Sequence, residues 1–231
     1  MAPLRGNQSA RPDSYPETVR KWLLVSLALG LILLACSLWA PGLSAAEQAR
    51  YLPTAEGIYI QLDSSVLRLF AGLPGTEENE YLDFVTKTGF DYRRDLDRLL
   101  AVVGPQGNYF AVTGRFDWNR ITAYAGNCLK GLCTLPASQP GKWISLMMPR
   151  PGLLVIAVST NQLAVGAMEK PLPKALVPWT NAPFFVTGSG KYFAPWGLSG
   201  ESPVQVRLDG DAVVLTQGDI TRRIDWRKIL E

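Results

Sequence analysis

The chain has 231 residues, 47% apolar and 19% charged, a composition that excludes both a disordered chain and a polytopic membrane protein. Arg5, Arg11, Arg20 and Lys21, against Asp13 and Glu17, precede one long apolar run, so the formal charge of +3 leaves the remainder close to neutral; no basic stripe for nucleic acid is present. Histidine is absent and the three cysteines form no C-x-x-C, which excludes Ser-His-Asp and Cys-His catalysis, His-ligated haem, common iron–sulfur spacings and most zinc sites. No cofactor, metal ligand or catalytic residue is expected.

Residues 1–21 read as a cytoplasmic segment and 22–39, "WLLVSLALGLILLACSLW", as a single-pass anchor. Eighteen uncharged residues in a helix span roughly 27 Å, near a bilayer's hydrocarbon thickness. Trp22 and Trp39 suit the two interfaces, and Arg20-Lys21 on the amino-terminal side keep that end cytoplasmic. Two other readings share the stretch. Leu33-Leu34-Ala35-Cys36 fits a loose lipobox, making Cys36 a possible lipidation site, and Ser44-Ala45-Ala46 fits signal cleavage after Ala46. All three export the remaining chain. The working expectation is a cytoplasmic-membrane anchor carrying an extracytoplasmic domain.

Residues 40–54 read as a tether, 55–170 as an α+β domain, and 171–231 as a proline- and aromatic-rich extension. In chain order the patterns are a strand in "GIYIQLD" and helices in "SSVLRLFAGL" and "TEENEYLDFVTKTGF", the latter with Thr76 as N-cap and a stop at Gly89. A hairpin, "DRLLAVVG" to "NYFAVTGRF", and a helix, "WNRITAYAG", capped by Asp117, come next. Strands "KWISLMM" and "LLVIAVS" form a second hairpin, followed by a short helix in "TNQLAVGAME" capped by Thr160. "FFVTGSG" and the Asp209-Gly210 hairpin add further antiparallel strands. The strand–helix–strand–strand–helix–strand order predicts a ferredoxin-like antiparallel sheet with its helices on one face.

Cys128 and Cys133 enclose "LKGL", and in an oxidising compartment the natural product is a structural disulfide. "FDYRRDLDRL" concentrates Asp91, Asp95 and Asp97, which suggest paired carboxylates for hydrolysis or Ca²⁺ binding. Arg93, Arg94 and Arg98 interleave with them, so charge compensation and an N-cap at Asp91 are the preferred reading. "GSGKY" lacks the spacing of a phosphate-binding loop. Trp179, Phe184, Phe185, Tyr192, Phe193 and Trp196 crowd the last third, either as a surface for a partner or as core.

"TGFDYRRDLDRL", "GRFDW", the cysteine pair and "PASQPGKWIS" resemble a group of exported, amino-terminally anchored acidobacterial proteins with a TGFD-x-RRDLD segment and a strand ending G-R-F-D. The likeness spans residues 57–159 and implies an exported domain; it supplies no activity. From these features the first expectation is a non-enzymatic, membrane-anchored accessory subunit or assembly factor whose partner is a protein of a larger membrane complex. The alternatives are an extracytoplasmic binding module for an apolar or glycan ligand, and a carboxylate-based hydrolase.

Overall fold

The computed structural model describes residues 43–70, 79–173, 179, 182–210 and 212–225. The anchor over 22–39 with Trp22, Cys36 and Trp39, and the cap at Thr76, lie outside them; among the described residues no helix is long and apolar enough to cross a membrane.

Leu100, Ala101 and Val102 are consecutive and almost wholly buried, which a strand achieves only when both faces of its sheet are covered. They lie in β2 (Leu96–Gly104), near the middle of one eleven-stranded sheet ordered β11-β10-β9-β8-β1-β2-β3-β7-β6-β5-β4. β1 (Ile58–Asp63) pairs antiparallel with β2, from Ile58 opposite Val103 to Asp63 opposite Arg98, where the two side chains form an ion pair at 2.7 Å. β3 (Gly107–Gly114) completes a meander. Gly104 is required at the turn, since a Cβ there would stand 2.0 Å from the Glu56 carbonyl oxygen.

From β3 the chain leaves for the far edge and returns through β4 (Cys128–Leu129), β5 (Leu132–Pro136), β6 (Trp143–Arg150) and β7 (Leu153–Ser159), the last pairing with β3. β8 (Phe184–Ser189) joins the other flank of β1, and β9 (Pro203–Asp209), β10 (Ala212–Gln217) and β11 (Ile220–Asp225) extend it outward. The extension expected over 171–231 thus contributes four strands, β8 to β11, to the same sheet as the preceding strands.

The expected ferredoxin-like layer is therefore corrected to a mostly-β fold. A ferredoxin-like layer routes its helices between strands that are not neighbours. Here β2 returns directly beside β1, and every neighbouring pair is antiparallel. The helices also occupy both faces. One face carries α1 (Ala45–Ala49) and the 3₁₀ turn Ala164–Met168; this turn, where a helix capped by Thr160 was expected, has no side-chain cap. The segment read as a tether thus docks. Ser44 and Glu47 cap α1 reciprocally, Ala49 and Leu52 are buried, and the Gln48 side-chain amide donates to the carbonyl of Ala111 at 2.8 Å.

Opposite them lie α2 (Ser64–Phe70), α3 (Asn79–Thr88), the single turn α4 (Tyr92–Asp95) and α5 (Trp118–Ala125). Asp91 caps α4 and Asp117 caps α5, as their positions in the sequence suggest.

In the β4–β5 hairpin Cys128 and Cys133 are directly opposed and joined by a disulfide. The two turn residues, Lys130 at φ 51° and Gly131 at φ 82°, are both left-handed, the geometry that favours Asn-Gly over Lys-Gly. Lys130→Asn is expected to raise the unfolding free energy by up to about 1 kcal/mol, read from urea or thermal unfolding. A fall in stability would mean that Lys130 makes contacts this turn geometry does not explain.

Candidate functional site

The two faces of the sheet are not covered equally. Under α1 and the 164–168 turn, Leu100, Leu153, Val155 and Ala157 are wholly buried. Their neighbours Leu99, Phe110 and Ile156 point to the opposite face and are only half-buried, as is Ile144 on β6, although α3 and α5 lie over them. Helices of ten and eight residues cannot cover five strands.

The gap between them is a cavity of about 410 Å³. Its floor includes Leu99, Val112 and Leu154; its roof is Phe84 of α3 with Ile121 and Ala125 of α5. Every side chain on its wall is apolar or aromatic. Such a space offers few hydrogen-bond partners to ordered water, so it favours apolar contents.

One wall is a run of touching rings. Tyr124 meets Phe84 edge-on at 5.3 Å between centroids, Phe84 meets Phe90 at 6.3 Å, and Phe90 stacks on Phe116 at 5.0 Å. These residues come from α5, α3 and the loops after α3 and β3, so the pairs hold the roof over the cavity. Leu82 and Tyr124, on the two roofing helices, remain exposed at 51% and 40%.

Behind Phe90 and Phe116 lies a second hollow of about 430 Å³, polar in character and lined by Arg94, Asp95, Arg115, Asp117 and Arg120. Asp95 is buried at its base. Arg94 grips both its oxygens, through Nε at 3.0 Å and Nη2 at 2.7 Å, and Arg115 approaches at 3.1 Å. The hydrogen bonds from Arg94 hold the Asp95 carboxyl down at about 2, helped by the Asp91 backbone N–H and the charge of Arg115, with burial opposing them.

This arrangement reorganises the carboxylate cluster flagged in the sequence. Asp91 caps α4 and accepts a hydrogen bond from the Tyr81 hydroxyl at 2.8 Å; that bond, after desolvation, pushes the Tyr81 phenol upward. Asp97 is exposed on β2, and Asp95 is committed to arginines. Among the described residues no group of three His, Cys, Asp or Glu side chains converges as a metal site would require.

The six carboxy-terminal aromatics do not assemble into one surface. Phe193 is buried and packs with Phe184 and Tyr192 in a third core beneath β8–β10, while Trp196 rests against Phe193 and is 38% exposed. Trp179 lies on the α1 side, edge-on to Tyr59 at 6.2 Å and Phe185 at 6.4 Å. Phe185 and Tyr192 line a shallow cleft with Tyr59, at whose edge Lys191 pairs with Glu56 and Glu201.

No family model and no curated protein matches the chain. Among solved structures it is similar to crystal forms of TP0453. Form I shows 7% identity and a TM-score of 0.48 over 81% of this chain and 86% of that one, and form IV shows 6% and 0.42 over 74% and 79%. A likeness that distant carries no functional argument.

Folding depresses the Asp95 pKa from an ordinary value of about 3.9, so its ionised form stabilises the protein at neutral pH, and this contribution fades as the pH falls from about 4 toward about 2. Asp95→Asn should destabilise the protein by roughly 1–3 kcal/mol at pH 7 and progressively less below pH ~4. Urea unfolding of both proteins across pH 2–7 checks this; a difference independent of pH would contradict it.

Proposed function

We propose that the chain is a non-enzymatic binding protein for an apolar ligand, acting outside the cytoplasmic membrane. The observation that carries this reading is the apolar cavity beneath α3 and α5, set against the more closely packed opposite face of the same strands. Apolar side chains left without partners on one side forfeit packing contacts, a loss that a bound alkyl chain would offset.

Export is supported by the apolar run at residues 22–39 and by the Cys128–Cys133 disulfide, a bond typical of oxidising compartments. Retention as an anchored protein fits α1, because a cut after Ala46 would remove its Ser44 cap and the buried Ala45. The accessory-subunit reading drew in part on the carboxy-terminal aromatics as a partner surface; Trp179 packs with one core and Phe184, Tyr192 and Phe193 with another, which favours ligand binding over it.

Binding of neutral n-alkanols to the full chain in detergent-free buffer tests the reading. Each added methylene contributes roughly 0.8 kcal/mol on burial, so the Kd should fall about fourfold per carbon until the cavity is full. Ala125→Phe, which projects a ring into the same space, should weaken binding at least tenfold while leaving the fold intact. Absence of saturable binding for every chain length would overturn the proposal.

A further inference from the structure

The apolar cavity and the polar hollow share the side chains of Phe90 and Phe116 as a common wall. We infer, building on the apolar-ligand reading, that the ligand is a single-chain amphiphile with one anionic headgroup: its chain lies under α3 and α5, and its headgroup sits beyond the ring pair on Arg115 and Arg120.

Charge in the hollow favours an anion. Three guanidinium groups face two carboxylates there, and the carboxylates are already occupied. Arg94 and Asp95 satisfy one another through a two-point contact, and the Asp117 carboxylate accepts the backbone N–H of Arg120 as the cap of α5. Arg120 has no carboxylate partner among the described residues. Its Nε and Nη2 donate to the carbonyls of Lys87 and Thr86 at 3.1 and 2.8 Å, which fixes the guanidinium across the end of α3. Its Nη1 makes no hydrogen bond among the described residues.

Gly89 makes this placement possible. It ends α3 with φ +73°, and a Cβ on it would come within 2.6 Å of the Arg120 Nη1. Arg115 reaches the same hollow from the end of β3, with Nη2 on the Arg94 carbonyl and on Asp95, leaving its other nitrogens to donate to a ligand. A planar carboxylate, or one edge of a phosphate, suits such forks through paired N–H donors. The stacked rings between the two hollows would then pack on the carbons next to the headgroup.

Size limits the chain count. A cavity of about 410 Å³ falls toward the lower end of the range for small-molecule sites, consistent with one chain. A two-chain lipid at a bilayer surface is therefore the competing source of the same chemistry.

The test compares laurate with 1-dodecanol, identical in chain and different in charge, on the full-length protein at low ionic strength. Laurate should bind at least tenfold more tightly, and added salt should narrow the gap. In Arg115→Gln, which leaves the Arg120 tie between α3 and α5 intact, part of the preference for laurate should be lost while the Kd for dodecanol stays the same. In Arg115→Gln/Arg120→Gln, where loss of that tie can shift both affinities, the ratio of the two Kd values should approach one. Equal binding of the two ligands by the unaltered protein overturns the headgroup assignment and leaves the apolar site standing. Binding of neither overturns both. Sedimentation with phosphatidylglycerol vesicles, together with no binding of free laurate, would place the anionic chemistry at a membrane surface and likewise overturn the single-chain assignment.

Discussion

The central strands of this eleven-stranded antiparallel sheet carry apolar side chains on both faces, and each face must be removed from water. Much of this structure follows from how unevenly that requirement is met. On one side a five-residue helix, a 3₁₀ turn and the stretch from Tyr51 to Ala55 close over β2, β3 and β7, where Leu100, Ala111, Leu153, Val155 and Ala157 are wholly buried. Across the same strands, two short helices bridge the sheet without filling the space beneath them.

Interactions around the cavity fall into two groups with different physical characters. Rings from Tyr124 through Phe116 hold the roof by dispersion and edge-to-face contacts, which adapt to a ligand's shape. Hydrogen bonds from Arg120 to the last carbonyls of α3, and from Arg94 and Arg115 to Asp95, are directional and hold the far side in place. A soft wall beside a fixed charged one is an arrangement suited to a molecule with an apolar chain and an anionic end.

Local structure was legible where a single residue dictates it. Asp91 and Asp117 announce their caps, Gly89 and Gly126 end their helices, and Cys128 and Cys133 read as a pair. Pairing between strands was not legible, because the hydrophobic pattern of β1 is equally compatible with an adjacent antiparallel partner and with a crossover. Strand β4 is two residues long, and β11, with exposed Arg222 and Arg223, lacks an apolar pattern altogether. The cavity was hidden for a related reason. Phe84, Phe90, Phe116 and Tyr124 are spread over some forty residues of sequence and meet only when α3 and α5 pack side by side. The carboxy-terminal aromatics drew attention by their density, yet as consecutive residues of one strand Phe184 and Phe185 point to opposite faces.

The account rests on where a chain binds. Solution NMR of the protein with ¹³C-labelled laurate addresses this directly through contacts between ligand and protein protons. The account predicts contacts from the chain to the methyl groups of Ile121, Ala125 and Leu154, with the carboxylate end near Phe116 and Arg120. Contacts confined to Tyr59, Phe185 and Tyr192, or none to the residues beneath α3 and α5, would contradict it.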